Sequence, residues 1–216
     1  GAILVTFHVP PAMVASLAEA GMAVVVLAPN EPAWVEHGID NVMVDNVAAA
    51  RAAVEYLIAR GHTRIGMIAG MAGTPPREYR VQGYREALAA HDLPLDEILI
   101  RAGDFAEAGG YEAMRELLRL SPRPTAVFAA NDLMAIGAMV ALREAGLIIP
   151  RDMAIVGLDD IPAAALVNPP LTTVAQFPER LGRRCAERLV ERLRGEAPPA
   201  GRLDVMEFQL VARASA

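Results

Sequence analysis

The sequence is poor in cysteine and aromatic residues, and it has no long apolar run. Its single cysteine, Cys185, cannot form an internal disulfide, and no spacing typical of a cysteine-based metal site exists. Aromatic residues make up only 5% of the 216 positions, so Ala, Val, Leu and Ile must form most of the core. No apolar stretch approaches the roughly 20 residues that span a bilayer, and no basic-then-apolar leader opens the chain. We therefore expect a reduced, cytoplasmic protein without a membrane partner.

Basic residues are outnumbered by acidic ones, 20 to 26, which gives a net charge of −6 and a pI near 5.3. A surface that held nucleic-acid phosphates by itself would be basic. We therefore expect no direct contact between this segment and DNA. The hydrophobic content of 54%, beside 21% charged residues, indicates a globular chain rather than a disordered one.

Short apolar runs alternate with Ala-rich helical patterns along the whole chain. Predicted strands cover 2–6, 23–27, 41–44, 64–68, 97–101, 126–129 and 154–158. Predicted helices cover 11–20, 47–60, 78–90, 106–120, 132–145 and 178–194. Continuous apolar strands are typical of parallel sheets that are covered on both faces. The repeated alternation of strand and helix therefore predicts a doubly wound α/β fold.

Polar residues directly follow several of the predicted strands. These residues are Thr6, His8, Asp45, Asn46, Asn131, Asp132, Asp159 and Asp160. Ligands of open α/β sheets bind beyond the carboxyl ends of the strands, so several polar groups at equivalent ends indicate a binding site. Asn46, Asn131 and Asp132 have an alternative role, because their side chains are also good N-caps for free helix amides.

Motifs for catalysis, metal binding and cofactor binding are missing. No serine lies in a Gly-x-Ser-x-Gly elbow, and the histidines are scattered without a nucleophile at a useful spacing. Asp159 and Asp160 have no third acidic residue nearby in sequence, as a hard metal ion would need. The glycines at 70 and 73 lack the Lys and Ser/Thr of a phosphate-binding loop. We expect a protein that is not an enzyme and that uses no metal or cofactor.

Seven short motifs occur in order along the chain. They are VDN (44–46), RGHTRIG (60–66), RVQGY (80–84), NDLMAIGA (131–138), VGLDD (156–160), PPLTTV (169–174) and LVARAS (210–215). With this ordered set, the chain closely resembles the LacI/GalR family of bacterial transcription regulators over essentially its whole length. The resemblance implies a two-lobed α/β fold of the periplasmic-binding-protein-like type I, in which each lobe is a mostly parallel sheet flanked by helices.

The resemblance also implies how the chain is divided. An N-terminal lobe would hold residues 1–44 and 178–205, and a C-terminal lobe would hold 45–173 and 208–216. The crossovers between them would lie near 44–45, 174–178 and 205–208. Family members carry a helix-turn-helix, a hinge helix and a first β-α-β-α stretch ahead of the strand that residues 2–6 match. These are missing here, so we expect an incomplete first lobe and no element that enters a DNA groove.

The effector site of the family maps by resemblance onto four positions of this chain. Arg80 matches the arginine that clamps effector oxygens, Asp159 the acid that accepts from ligand hydroxyls, and Asn131 the amide that donates and accepts. Phe105 matches the aromatic residue that stacks on a sugar face or a base. Further candidates are Gln176, Thr6 and His8. The alternatives are a surface ion pair of Arg80 with an acidic neighbour on its helix, and ordinary core packing of Phe105.

The function that the resemblance implies is that of a sensor. A small polar effector, such as a sugar, a related polyol or a nucleoside, would bind in the inter-lobe cleft and control DNA binding by the absent helix-turn-helix. We expect a homodimer that reaches its operator DNA only through that head. The alternative is a periplasmic-type sugar-binding protein of an ABC transporter, which has the same fold. A helix-turn-helix upstream would exclude this alternative, and a leader peptide would favour it.

Overall fold

The computed structural model describes residues 1–5, 9–28 and 31–216 of the chain. These residues form two compact units. The smaller unit comprises Gly1–Asp45 and Phe177–Glu207, and the larger unit comprises Asn46–Gln176 and Phe208–Ala216.

Strands and helices alternate through most of the chain. The strands are β1 (Ala2–Val5), β2 (Val24–Leu27), β3 (Asp40–Val44), β4 (Ile65–Ala69), β5 (Ile100–Ala102), β6 (Ala126–Ala129), β7 (Ala154–Val156), β8 (Thr173–Ala175), β9 (Leu203–Met206) and β10 (Gln209–Val211). The helices are α1 (Pro11–Glu19), α2 (Ala33–Glu36), α3 (Asn46–Ala59), α4 (Pro75–Ala90), α5 (Glu107–Leu118), α6 (Asp132–Glu144), α7 (Pro162–Leu166) and α8 (Pro178–Leu193), with a 3-10 turn at Glu97–Leu99.

The smaller unit is built on a parallel four-stranded sheet in the order β1-β2-β3-β9. Strand β2 reads Val-Val-Val-Leu, and its three valines are buried, as is typical of a strand that is covered on both faces. Helix α8 packs against β1, β2 and β3, while α1 packs against β2. Val24 and Val26 of β2 share an apolar cluster with Val14 of α1 and with Trp34. Because successive side chains of a strand point to opposite faces of the sheet, β2 offers an apolar surface on both faces.

A buried carboxylate ties β3 to α8 in the smaller unit. Asp40 is fully buried, and its two oxygens accept hydrogen bonds of 2.7–3.0 Å from the guanidinium groups of Arg192 and Arg202. Burial by itself would raise the pKa of Asp40, but the hydrogen bonds from Arg202 and Arg192 lower it below its usual value. Two forked contacts to one carboxylate satisfy the buried charge from both sides.

The larger unit is built on a second parallel sheet in the order β5-β4-β6-β7, beside an antiparallel pair of β8 and β10. Every residue of β4, β6 and β7 is buried. Helices α3 and α4 pack together, as do α5 and α6. These observations confirm the predicted α/β fold with mostly parallel sheets flanked by helices.

Two elements begin three residues away from their predicted start, which is more than the other predicted elements deviate. The strand predicted over 97–101 begins only at Ile100, because the Asp96 carboxylate accepts from the Ile98 amide and starts a 3-10 turn instead. The helix predicted to begin at 78 begins at Pro75. Proline is tolerated in the first helical turn, where its missing N–H has no intrahelical acceptor, so the two prolines that follow Thr74 belong to the helix.

Candidate ligand-binding site

The candidate site lies at the carboxyl-end edge of the sheet in the larger unit. Strands β4, β5, β6 and β7 run parallel, so the residues that follow them emerge at the same edge. Gly70 follows β4, and Phe105 lies three residues beyond β5. Asn131 and Asp159 lie two and three residues beyond β6 and β7. The parallel register therefore gathers residues that are far apart in the sequence.

Arg80 of α4 reaches this edge with a side chain that is only 9% exposed. Its Nε donates to Oδ1 of Asn46 at 2.8 Å, and its Nη1 donates to the carbonyl of Ala130. Its Nη2 lies 3.9 Å from Oδ1 of Asp159. Burial lowers the pKa of Arg80, and the charge of Asp159 opposes that shift. The guanidinium is thus fixed by two hydrogen bonds and turns its remaining nitrogen toward a carboxylate.

The surface ion pair considered for Arg80 is not formed. Glu78 instead pairs with Arg77, and Glu86 accepts a hydrogen bond from Gln82 on the exposed side of α4. Arg80 is buried on the opposite side of the same helix. Because buried guanidinium groups need partners, its position at the sheet edge is determined by Asn46 and the Ala130 carbonyl.

Asp159 lies in a turn with unusual backbone geometry. Its φ is 127° and that of Asp160 is 57°, both in a region that non-glycine residues seldom adopt. Gln176 donates to Oδ1 of Asp159 at 2.6 Å, and the Asp159 amide donates to Val174 at 2.9 Å. Burial raises the pKa of Asp159, although Arg80 and Gln176 both favour its ionised form. Strain at such positions persists only where neighbouring contacts hold it.

The side chain of Asn131 caps helix α6 and also binds the segment after β5. Its Oδ1 accepts from the Met134 amide at 2.9 Å, which caps α6. Its Nδ2 donates to the Phe105 carbonyl at 2.9 Å. The capping alternative is therefore correct for Asn131, and the same side chain also fixes the turn that carries Phe105.

Phe105 lies against the backbone at the end of β4. Its φ is 66°, and a Cβ added to Gly70 would stand only 1.9 Å from its Cζ. The ring therefore covers Gly70, a contact that any larger residue would prevent. Phe105 keeps part of its surface exposed, unlike the fully buried Phe128 of the core. Such a ring offers an apolar face at the edge of the sheet.

The structure joins five of the sequence-predicted site residues into one chain of contacts. Arg80 lies next to Asp159, which binds Gln176, and the Ala130 carbonyl that binds Arg80 directly precedes Asn131, which binds Phe105. Thr6 and His8 lie outside the described residues. Among the strand-end residues, Asn46 also reaches the site, through its contact with Arg80.

Asp132 is a member of this region that the site prediction did not include. Its Oδ1 accepts from the Thr173 hydroxyl, and its Oδ2 accepts from the Ile161 amide at 3.0 Å. It is fully buried, and burial raises its pKa to about 6, against the opposing effect of those two hydrogen bonds. Its place directly after Asn131 at a strand end was the sequence signal for it.

The arrangement can bind hydroxyl groups. In the described part of the chain, the hydrogen bonds of Arg80 use Nε and Nη1, and the side-chain hydrogen bond of Asp159 uses Oδ1. Nη2 of Arg80 can therefore still donate to a ligand, and Oδ2 of Asp159 can still accept from one. A sugar hydroxyl both donates and accepts, so it matches such a pair. Across residues 1–5, 9–28 and 31–216, no group of three His, Cys, Asp or Glu side chains could hold a metal ion. Within the same ranges, no helix has the length and apolar character that a bilayer crossing requires.

This chain is similar in sequence to one domain family and to two transcriptional regulators. The periplasmic binding protein-like domain family matches residues 54–216. The HTH-type transcriptional regulator CelR of Thermobifida fusca is 41% identical over 216 residues, which cover 100% of this chain and 63% of CelR. The HTH-type transcriptional repressor CytR of Escherichia coli is 38% identical over 177 residues, which cover 82% of this chain and 52% of CytR. This chain therefore spans less than two thirds of the length of either relative.

A solved structure of a transcriptional regulator has the same fold as this chain. The structure of a transcriptional regulator CelR–cellobiose complex matches with a TM-score of 0.91 at 39% identity. The match covers 100% of this chain and 65% of that chain. At this identity and coverage, the similarity extends over the whole described fold and not only over its core.

Proposed function

Because this chain belongs to the periplasmic binding protein-like domain family, in the form that LacI-type transcriptional regulators carry, we propose that it is the effector-binding part of such a regulator. Its effector is a carbohydrate or a related polyol. The effector binds at the carboxyl-end edge of the sheet in the larger unit and changes the affinity of the whole protein for its operator DNA.

The observation that carries this proposal is the arrangement of Arg80 and Asp159. The two groups are 3.9 Å apart, so they attract each other without a direct hydrogen bond. Each keeps hydrogen-bonding capacity for a ligand hydroxyl, which can accept from the guanidinium and donate to the carboxylate. Phe105, whose carbonyl is bound by Asn131, adds a partly exposed apolar ring at the same edge of the sheet, on which a sugar face can stack. We assign Asn131 and Gln176 to positioning these groups as well as to ligand contact.

The whole regulator requires parts beyond this chain. CelR and CytR are named as HTH-type proteins, and this chain matches little more than half of CytR. We propose that a helix-turn-helix segment contacts operator DNA in the cytoplasm and that the protein acts as a homodimer. The effector can shift DNA binding only by its differential affinity for two states, typically by about 1–3 kcal/mol.

The transporter alternative is less well supported. A periplasmic-type sugar-binding protein would have the same fold, so the fold by itself does not separate the two functions. CelR and CytR, which match 100% and 82% of this chain, are both transcriptional regulators by name. We also propose that the bound sugar is not converted, in keeping with the regulators among the relatives.

Calorimetry with cellobiose tests the proposal, because the matched CelR structure is a cellobiose complex. We expect one binding event per chain in the intact protein, and a rise in thermal midpoint that increases with cellobiose concentration. Ribose and sorbitol serve as comparison ligands. Recovery of unchanged cellobiose after long incubation supports a binding role. Absence of binding to every sugar and polyol in a broad panel would contradict the proposal, and product formation would contradict the non-catalytic part.

A further inference from the structure

Asp132 stands behind the candidate site rather than in it. It is the first residue of α6, and it is fully buried. Its two oxygens accept from different elements, Oδ1 from the hydroxyl of Thr173 in β8 and Oδ2 from the amide of Ile161. A Cβ added to Gly157 would stand 2.2 Å from Oδ1 of Asp132, so the end of β7 also packs against this carboxylate. One side chain thus connects α6, β8 and the segment after β7.

The two donors held by Asp132 lie close in sequence to two residues of the candidate site, Asp159 and Gln176. Ile161 lies two positions after Asp159, and Thr173 lies three positions before Gln176. Gln176 and Asp159 are themselves joined by a hydrogen bond of 2.6 Å. The Asp132 carboxylate therefore anchors both chain segments that meet at Asp159.

The segment that Asp132 anchors needs external support. Asp159 and Asp160 both have positive φ values, 127° and 57°. Backbone in such regions is unfavourable and persists only where the surroundings hold it. Asp160 is held by a hydrogen bond of 2.6 Å from Arg213, and the residue after it is held by Asp132. Removal of either support should let the turn relax.

The charged groups around Asp132 favour a proton at mildly acidic pH. Burial is the main cause that raises its pKa to about 6, and the charges of Asp159 and Asp160 in the turn after β7 add to it. Arg80 from α4 is the cation whose charge interacts with Asp132. None of the salt bridges in the described part of the chain includes Asp132, so no direct ion pair keeps it ionised.

We propose, resting on the effector site described above, that Asp132 is a positioning residue whose ionised carboxylate holds Ile161 and Thr173 and thereby links effector affinity to pH. The ionised group accepts both hydrogen bonds with full charge assistance. A protonated carboxyl group loses that charge, so the hydrogen bond from the Ile161 amide weakens, and a proton on Oδ1 turns the Thr173 hydroxyl from donor to acceptor. The turn that presents Asp159 then relaxes, so acidification weakens effector binding.

Calorimetry with cellobiose at pH 5.0 and pH 7.5 tests this link. In the intact wild-type protein, we expect affinity to fall about tenfold or more at pH 5.0, since the charge-assisted hydrogen bonds weaken. In Asp132→Asn, we expect weaker binding at pH 7.5 and a smaller ratio between the two pH values. A ratio that remains reflects other groups, among them Asp159, whose pKa is raised by burial. Glu112→Gln, at an exposed position of α5, is the matched control and should behave as wild type.

A second measurement separates positioning from a merely structural role and does not depend on the variant. The carboxyl carbon of Asp132 is followed by NMR through a pH titration, with and without saturating cellobiose. Because linkage is reciprocal, the sugar should lower the pKa of Asp132 by the logarithm of the factor by which protonation of this group weakens binding. If Asp132→Asn fails to fold, Thr173→Val removes one of the two donors and should reduce affinity to a smaller extent.

The outcomes distinguish this inference from the function on which it rests. Wild-type protein that binds no carbohydrate overturns the proposed function, and the inference with it. Wild-type protein that binds cellobiose with an Asp132 pKa unaffected by the sugar overturns the inference and leaves the function intact. An unchanged pH ratio in Asp132→Asn has the same meaning. A lowered pKa together with a reduced ratio supports both.

Discussion

Nη2 of Arg80 lies 3.9 Å from Oδ1 of Asp159, and neither group can approach the other freely. Arg80 is bound through its other nitrogens to Asn46 and to the Ala130 carbonyl. The same oxygen of Asp159 is bound to Gln176 at 2.6 Å. The separation is therefore determined by contacts on both sides, and groups fixed in advance lose little entropy when a ligand hydroxyl binds them.

Arg80→Lys tests whether the fixed guanidinium binds the effector. Lysine keeps the charge but cannot donate to Asn46, to Ala130 and to a ligand from one plane. We expect the Kd for cellobiose to rise about tenfold or more, and the free energy of unfolding to fall by about 1–3 kcal/mol as a buried acceptor loses its donor. Calorimetry and urea denaturation measure the two effects. Arg85→Lys, an exposed site on the same helix paired with Glu97, is the control and should change neither.

Gly70→Ala tests the position of Phe105. The added Cβ would stand 1.9 Å from Cζ of the ring, so the ring must move away from the end of β4. We expect weaker cellobiose binding with little change in the far-UV circular dichroism spectrum. Gly182→Ala in α8, where an added Cβ meets nothing within 4 Å, should leave affinity unchanged. Equal affinity in Gly70→Ala would mean that Phe105 does not contact the ligand.

The pH dependence of stability provides a test of Asp132 without any ligand. Its pKa rises from 3.8 to about 6 on folding, so the folded state binds more protons between these values. Stability from this group is therefore greatest below pH 4 and falls by about 3 kcal/mol as pH rises through 6. Asp132→Asn lacks this fall. Urea titrations should show that the free energy of unfolding of the variant, relative to wild type, increases by about that amount from pH 4 to pH 7. Parallel pH profiles of the two proteins would contradict the assignment.

Asp40→Asn tests the buried carboxylate of the smaller unit. Removal of its charge leaves Arg192 without its carboxylate partner and Arg202 with Glu191 alone, and breaking a buried ion pair in this way typically costs about 3–5 kcal/mol. The pKa of Asp40 is lowered on folding, so its ionised carboxylate stabilises the fold at every pH above the pKa of an unfolded aspartate. This stabilisation is lost as the pH falls from that value through the lower pKa of the folded state. Thermal unfolding at pH 7 should show the loss. Glu187→Gln, which removes an exposed i,i+3 pair with Arg184, should cost less than about 1 kcal/mol.

Much of the fold could be predicted because its signals are local. Strand β6 lies where the apolar run 126–129 predicted it, and α6 begins at Asp132 as predicted. The late start of β5 could not be predicted from hydrophobicity, because it depends on one side-chain cap from Asp96. The strands β8, β9 and β10 are as short as β6 and β7, but each includes a polar residue (Thr173, Asp204 and Gln209), so none forms a continuous apolar run.

The sequence by itself determined the family, the parallel α/β fold and the residue types that end the strands of the larger unit, since motifs and strand ends can be read along the chain. Only the tertiary structure decided that Arg80 is held by Asn46 and Ala130, positions 34 and 50 residues away. It also decided that Asp132 anchors Ile161 and Thr173 from behind the site. Side-chain hydrogen bonds of this kind depend on which backbone groups remain unpaired once the sheet has formed, and that information is not local in the sequence.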